Sequence, residues 1–122
     1  MTVGVRFIKA AAFYFVAGVL AGLIAGATNQ FQYTSLHAHL NLLGWVSLAI
    51  SGLIYARFPQ AGDSTLGTVH FWLHNIGLPI FLAGLAMAAN GVDAATALLI
   101  GGGIISVLGV LAFAINVWKN VR

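Results

Sequence analysis

The chain has 122 residues, 61% of them hydrophobic and 6% charged, with a mean hydropathy of +1.00; these values exclude an ordinary soluble domain and describe an all-α integral membrane protein. Its formal charge of +3 comes from residues at chain ends and loops, so it reads as a topology signal and not as a phosphate-binding patch, and no nucleic-acid partner is expected. The absence of cysteine excludes disulfides, thiolate zinc sites, cysteine-ligated iron–sulfur clusters and covalent c-type haem, leaving histidine, methionine or oxygen to hold any metal or haem.

Arg6 and Lys9 precede a run from Ala10 to Ala56 that contains no Asp, Glu, Lys or Arg. As one helix this run would be about 70 Å long, roughly twice a bilayer, so it must break. The polar segment Asn29–Ser35 is the natural turn, giving a first span near 9–28 and a second near 35–56. Arg57, Pro59, Gly62 and Asp63 mark the next loop. A third run from Ser64 to Val92 and a fourth from Ala94 to Trp118 are divided by the turn sequence Asn90-Gly91-Val92-Asp93. The expectation is therefore a single four-helix domain, 1–122, in contact with membrane lipid. All five basic residues, Arg6, Lys9, Arg57, Lys119 and Arg122, fall on one side of these spans, which predicts both termini in the cytoplasm of a multi-pass protein of the cytoplasmic (inner) membrane. Gly18, Gly22 and Gly26 form a small-residue stripe on which another backbone could pack, and Gly101–Gly103 with Gly109 read the same way. Four helices of this length enclose little volume, so a homo-oligomer is expected.

The histidines carry the chemistry. All four, His37, His39, His70 and His74, lie in or at the edge of spans, where an imidazole needs a partner or a task. Two residues along a helix turn through roughly 200°, so His37 and His39 point to nearly opposite faces. One metal cannot easily take both, whereas two haems, or a haem and another metal, can each take one. Gly44 and the leucines beside it suit a flat apolar ring against the helix. His70 and His74 are four residues apart and share a face, a spacing that can chelate one ion or serve a second haem site; Gly77, one turn on, would leave room for a ring. No Glu is embedded between them, so a hydrolytic metal site lacks its general base. Phe71 and Trp72 read as lipid-facing or core aromatics. The plainer alternative is that the histidines bond across helices to Asn41, Ser47, Asn75 or backbone carbonyls.

The run His37-Ala38-His39-Leu40, continued by Asn41-Leu42-Leu43-Gly44-Trp45, resembles the haem-copper oxygen and nitric oxide reductase catalytic subunit and its small membrane relatives. In that family a His-x-His pair near the outer end of an outside-to-inside helix ligates two haems, one on each side. The family's twelve helices form three four-helix arcs about a pseudo-threefold axis, so the resemblance implies one arc of an oligomeric helical ring, with a homotrimer favoured. It further implies noncovalent haem b on His37 and His39, whereas His70 and His74 are read from their own spacing as a second haem site, with His74 a haem contact, or as a separate site for copper or another metal. A redox partner or quinol would supply electrons, and any enzymatic activity would be an oxidoreductase of haem-copper oxidase type, for electron transfer or for binding or reducing O2 or NO. The chain departs from the family in having no adjacent His-His pair, no His-Pro-Glu stretch and no carboxylate within a span. His70 and His74 also begin an inside-to-outside helix, whereas the family's copper histidines lie toward the outer side. Haem binding thus carries over better than proton-pumping oxygen reduction. The outer loop has no Arg or Lys for haem propionates, so Gln30, Gln32, Tyr33, Thr34, Ser35 or water would solvate them. The rival reading is a small oligomeric transporter or channel with a histidine-lined or metal-conducting pathway, and a third is a structural subunit of a larger complex.

Overall fold

A computed structural model describes residues 1–122 and is all-helical. Four helices are long and apolar enough to cross a membrane: α1 (Val3–Ala27), α2 (Phe31–Arg57), α4 (Thr65–Ala89) and α5 (Ala95–Asn120); the short α3 (Pro59–Gly62) lies in the central loop. The starts of α1 and α4 have side-chain caps. Thr2 accepts from the Val5 amide at 3.3 Å and Ser64 from the Gly67 amide at 3.1 Å, each satisfying one otherwise orphaned first-turn donor. Pro79 sits inside α4 without ending it.

The spans expected from sequence are present, with shifted ends. α1 starts at Val3, ahead of Arg6 and Lys9, because long basic side chains at a helix end can reach the aqueous boundary while their backbone stays helical. The expected turn at Asn29–Ser35 is shorter, since a 3₁₀ turn at Phe31–Tyr33 already opens α2. Asn29 takes φ 54° and Gly91 takes φ 70°, the left-handed conformation that lets a helix end and the chain reverse within a few residues. One feature of α2 was not expected: Leu40–Val46 is π-helical, between α-helical Thr34–His39 and Ser47–Arg57.

The chain packs as two hairpins, α1 with α2 and α4 with α5. Close approach of α4 and α5 depends on glycine. A Cβ on Gly77 would sit 2.7 Å from the Ser106 amide nitrogen, one on Gly109 3.1 Å from that of His74, and one on Gly102 would collide with the Phe81 backbone. In the other hairpin, a Cβ on Gly4 would lie 2.9 Å from the Gly52 carbonyl oxygen. The hairpins join at the end that carries both termini, where Phe7, Ala11, Leu48, Tyr55 and Ala61 are buried and Val3 and Val121 pack on them. All the basic residues belong to this end of the helices, here called the basic end. At the opposite end, Asn90 donates to the Tyr33 hydroxyl at 2.9 Å. Between these two ends α2 touches α4 but leaves a groove between itself and α5.

Candidate functional site

The two histidines of α2 face different neighbours, as the helical period predicts. His39 Nδ1 is 2.8 Å from the backbone carbonyl oxygen of Ser35. A carbonyl can only accept, so Nδ1 carries the proton and Nε2 keeps its lone pair. The ring meets Phe81 of α4 edge-on at 5.2 Å and lines the α2–α5 groove, a cavity of about 620 Å³ whose walls include Leu43, Ile104, Val107 and Leu111. That volume lies within the range of small-molecule and cofactor sites. Ser106 also lines the groove, and its hydroxyl is the one buried side-chain polar atom without a hydrogen-bond partner.

His37 lies against α1. The Asn41 side-chain nitrogen donates to the His37 carbonyl oxygen at 2.9 Å, which fixes the orientation of that amide, and the same nitrogen is 3.3 Å from His37 Nδ1. Nδ1 therefore accepts, and the proton of a neutral ring is on Nε2. Both side chains occupy space that α1 leaves open: a Cβ on Gly22 would stand 2.5 Å from His37 Cε1, and one on Gly18 2.7 Å from Asn41 Oδ1. The glycine stripe read from sequence as a seat for another backbone thus houses two polar side chains of α2, and only Gly26 has open space around it. The cavity beside His37 is about 160 Å³, below the usual size of a cofactor site.

His70 and His74 are 1% and 3% exposed and belong to one hydrogen-bonded chain. His74 Nε2 is 2.9 Å from the Leu43 carbonyl oxygen in the π-helical segment, His70 Nε2 is 3.3 Å from His74 Nδ1, and the Tyr55 hydroxyl is 2.9 Å from His70 Nδ1. Direction follows from the carbonyl at one end. His74 must donate to Leu43 and so accepts from His70, which in turn accepts from Tyr55. Beyond Tyr55, Asn116 donates to the phenol oxygen at 3.3 Å and to the Ala61 carbonyl at 2.9 Å, Ser64 donates to Asn116 Oδ1 at 3.0 Å, and Asn120 does so at 2.7 Å.

The structure thus brings His70 and His74 together and keeps them apart from His37 and His39. Of the cross-helix partners weighed from sequence, a backbone carbonyl, that of Leu43, bonds His74, whereas Asn41 bonds His37 within their own helix and Ser47 and Asn75 bond carbonyls of their own helices, Leu42 and Phe71. The room expected at two glycines is filled: Gly44 is packed by the Tyr14 ring and Gly77 by Ser106 and Ile105. No three His, Cys, Asp or Glu residues converge, so a bare metal ion would find at most two such ligands at one place. A haem brings four nitrogens of its own and needs from the protein only axial ligands and apolar walls; His39 and its groove have that chemistry. Sequence reasoning missed Tyr55, Asn116 and Ser106, and the available signal was their polarity within otherwise apolar spans.

Comparison with protein-family models, curated proteins and solved structures finds no match for this chain. Functional assignment therefore rests on the geometry above and on the His-x-His resemblance.

Proposed function

We propose that this is a b-type haem protein of the cytoplasmic membrane, in which the α2–α5 groove would hold haem noncovalently and His39 would be its protein ligand, serving electron transfer or the binding or reduction of a diatomic gas. The observation that carries this reading is the Nδ1–H···O=C bond from His39 to Ser35, which leaves Nε2 free on a residue lining an apolar groove of about 620 Å³. A ligating histidine ordinarily donates its other ring nitrogen in this way, fixing its tautomer and ring orientation. When bound, haem supplies a reversible one-electron change at iron. The chain's own part is to hold the ring and to exclude water with Leu43, Ile104, Val107 and Leu111.

His37 is the second ligand in this proposal, supplied by the neighbouring copy of a homotrimer with both termini in the cytoplasm. One chain cannot turn both histidines to one iron, whereas a cyclic ring presents the His37 side of each copy to the His39 side of the next. To ligate through Nε2, His37 must move its proton to Nδ1 and release the contact from Asn41. His70 and His74 are assigned to the hydrogen-bonded chain, and copper is given no place. A quinol or protein redox partner remains the proposed electron source.

The test is the visible absorption spectrum of purified protein from haem-replete cells before and after dithionite. A Soret band with sharpened α and β bands on reduction is expected. A folded, colourless protein would remove the haem reading and leave the transporter or structural-subunit readings.

A further inference from the structure

The buried histidine pair has a property that the haem reading does not use. Its hydrogen bonds run in one direction, from Tyr55 through His70 and His74 to the Leu43 carbonyl, and both imidazoles are neutral in that arrangement. Phe7 of α1 and Phe113 of α5 face His70 with ring centroids 4.7 Å and 5.1 Å away, and Tyr55 of α2 is the only other titratable group that touches the pair. No carboxylate or basic side chain faces it from any packed helix, and both Asp residues lie in loops. A proton added here would have no counter-charge, and an unpaired buried charge is costly. It can be held only when negative charge arrives nearby in the same low-dielectric region.

The groove is where such charge would arrive. A cavity of about 250 Å³ opens onto His70 and His74, with Ser47 and Ser51 also in its wall, and Val110 lines both this cavity and the larger groove. Leu43 also joins the two regions, because its residue lines the groove while its carbonyl accepts from His74. We propose that the His70–His74 pair is a one-proton store, filled when an electron is added in the adjoining groove and emptied when it leaves. This rests on the haem reading above.

The step balances with few movements. One electron enters the groove from an external one-electron donor, such as a quinol or a redox protein. One proton enters at the basic end from a hydronium ion in water, whose O–H bond breaks to leave a water molecule. It binds Nδ1 of His70, forming one N–H bond there in exchange for the O–H bond broken in its donor. The Tyr55 O–H bond turns over, so that its oxygen accepts from His70 where it had donated. His70 Nε2 continues to donate to His74, and His74 to Leu43.

The experiment is a spectroelectrochemical titration of the haem-loaded protein between about pH 6 and 8, the range in which histidine charge ordinarily changes. Uptake of one proton per electron shifts the reduction equilibrium tenfold per pH unit, which for a one-electron couple is about 59 mV. Wild type should show that dependence, and His70→Gln and His74→Gln, which keep a hydrogen-bonding side chain but cannot store the proton, should flatten it. A haem-loaded wild type with a pH-independent potential, or variants with the wild-type slope, would overturn the store. A colourless folded protein would instead overturn the haem reading. Long-range proton–nitrogen NMR correlations on wild-type protein without haem provide an arm that needs neither haem nor a variant. Both histidines should carry their proton on Nε2, and a proton on Nδ1 of either would overturn the relay on which the store depends.

Discussion

At the scale of single residues, two histidines two positions apart are chemically different because their Nδ1 atoms have different partners. The Ser35 carbonyl accepts a hydrogen bond from one, and the Asn41 amide donates one to the other. His39→Ala should therefore abolish most haem retention, while His37→Ala should lower haem content less in the isolated chain and more in the assembled form; pyridine haemochrome assay of detergent and native-membrane preparations checks this. Gly22 tests the same distinction from the opposite helix. Gly22→Val should drive the His37 ring from its cradle while sparing the His39 groove, so the haem spectrum should change as a nitrogen ligand is lost, with haem content largely kept. Unchanged coordination would remove His37 as a ligand. The opposed directions of the two rings were legible in the sequence, since the helical period alone sets them. Their tautomers were not, because these depend on which backbone carbonyl or amide each ring meets.

At the scale of elements, α2 changes its winding where α4 touches it. The π-helical Leu40–Val46 includes the carbonyl to which His74 donates and the glycine against which Tyr14 packs. Insertions of this kind cluster at functional sites, and no local composition announces one, because its stabilising partners come from α1 and α4. The hydrogen-bonded chain from Asn116 to Leu43 was likewise illegible: Tyr55, His70 and Asn116 are 15 and 61 positions from their partners along the chain. Asn116→Ala should remove the donors to Tyr55 and Ala61 and cost about 1 kcal/mol, the usual scale of an interhelical polar contact in membranes. Steric trapping or detergent unfolding would measure it, and a neutral effect would show that water replaces the amide.

At the scale of the whole molecule, only 22 of 122 residues are buried, so most apolar side chains face outward from the four membrane-length helices. Four spans were plain from hydropathy, because in a bilayer the backbone must satisfy its own hydrogen bonds and helices are the simplest way to do so. The proposed contact between copies has no such signature, since lipid and a neighbouring helix ask for the same side chains. Sidedness is testable by cysteine labelling. A thiol placed at Gln32 should react with an impermeant outside reagent and one at Gln60 should not; the reverse pattern would invert the topology. Native mass spectrometry should give a trimer, and a stable dimer or tetramer would remove the threefold ring.

The central claim is that His39 holds haem in the groove between α2 and α5, and imidazole rescue tests it most directly. Haem-to-protein ratio and the reduced spectrum should be measured for wild type, for His39→Ala, and for His39→Ala supplied with imidazole. The prediction is a haem-loaded wild type, a haem-poor variant, and recovery of haem and of the nitrogen-ligated spectrum when imidazole fills the space left by the missing ring. A His39→Ala protein that keeps its full haem content and an unaltered spectrum would contradict the assignment.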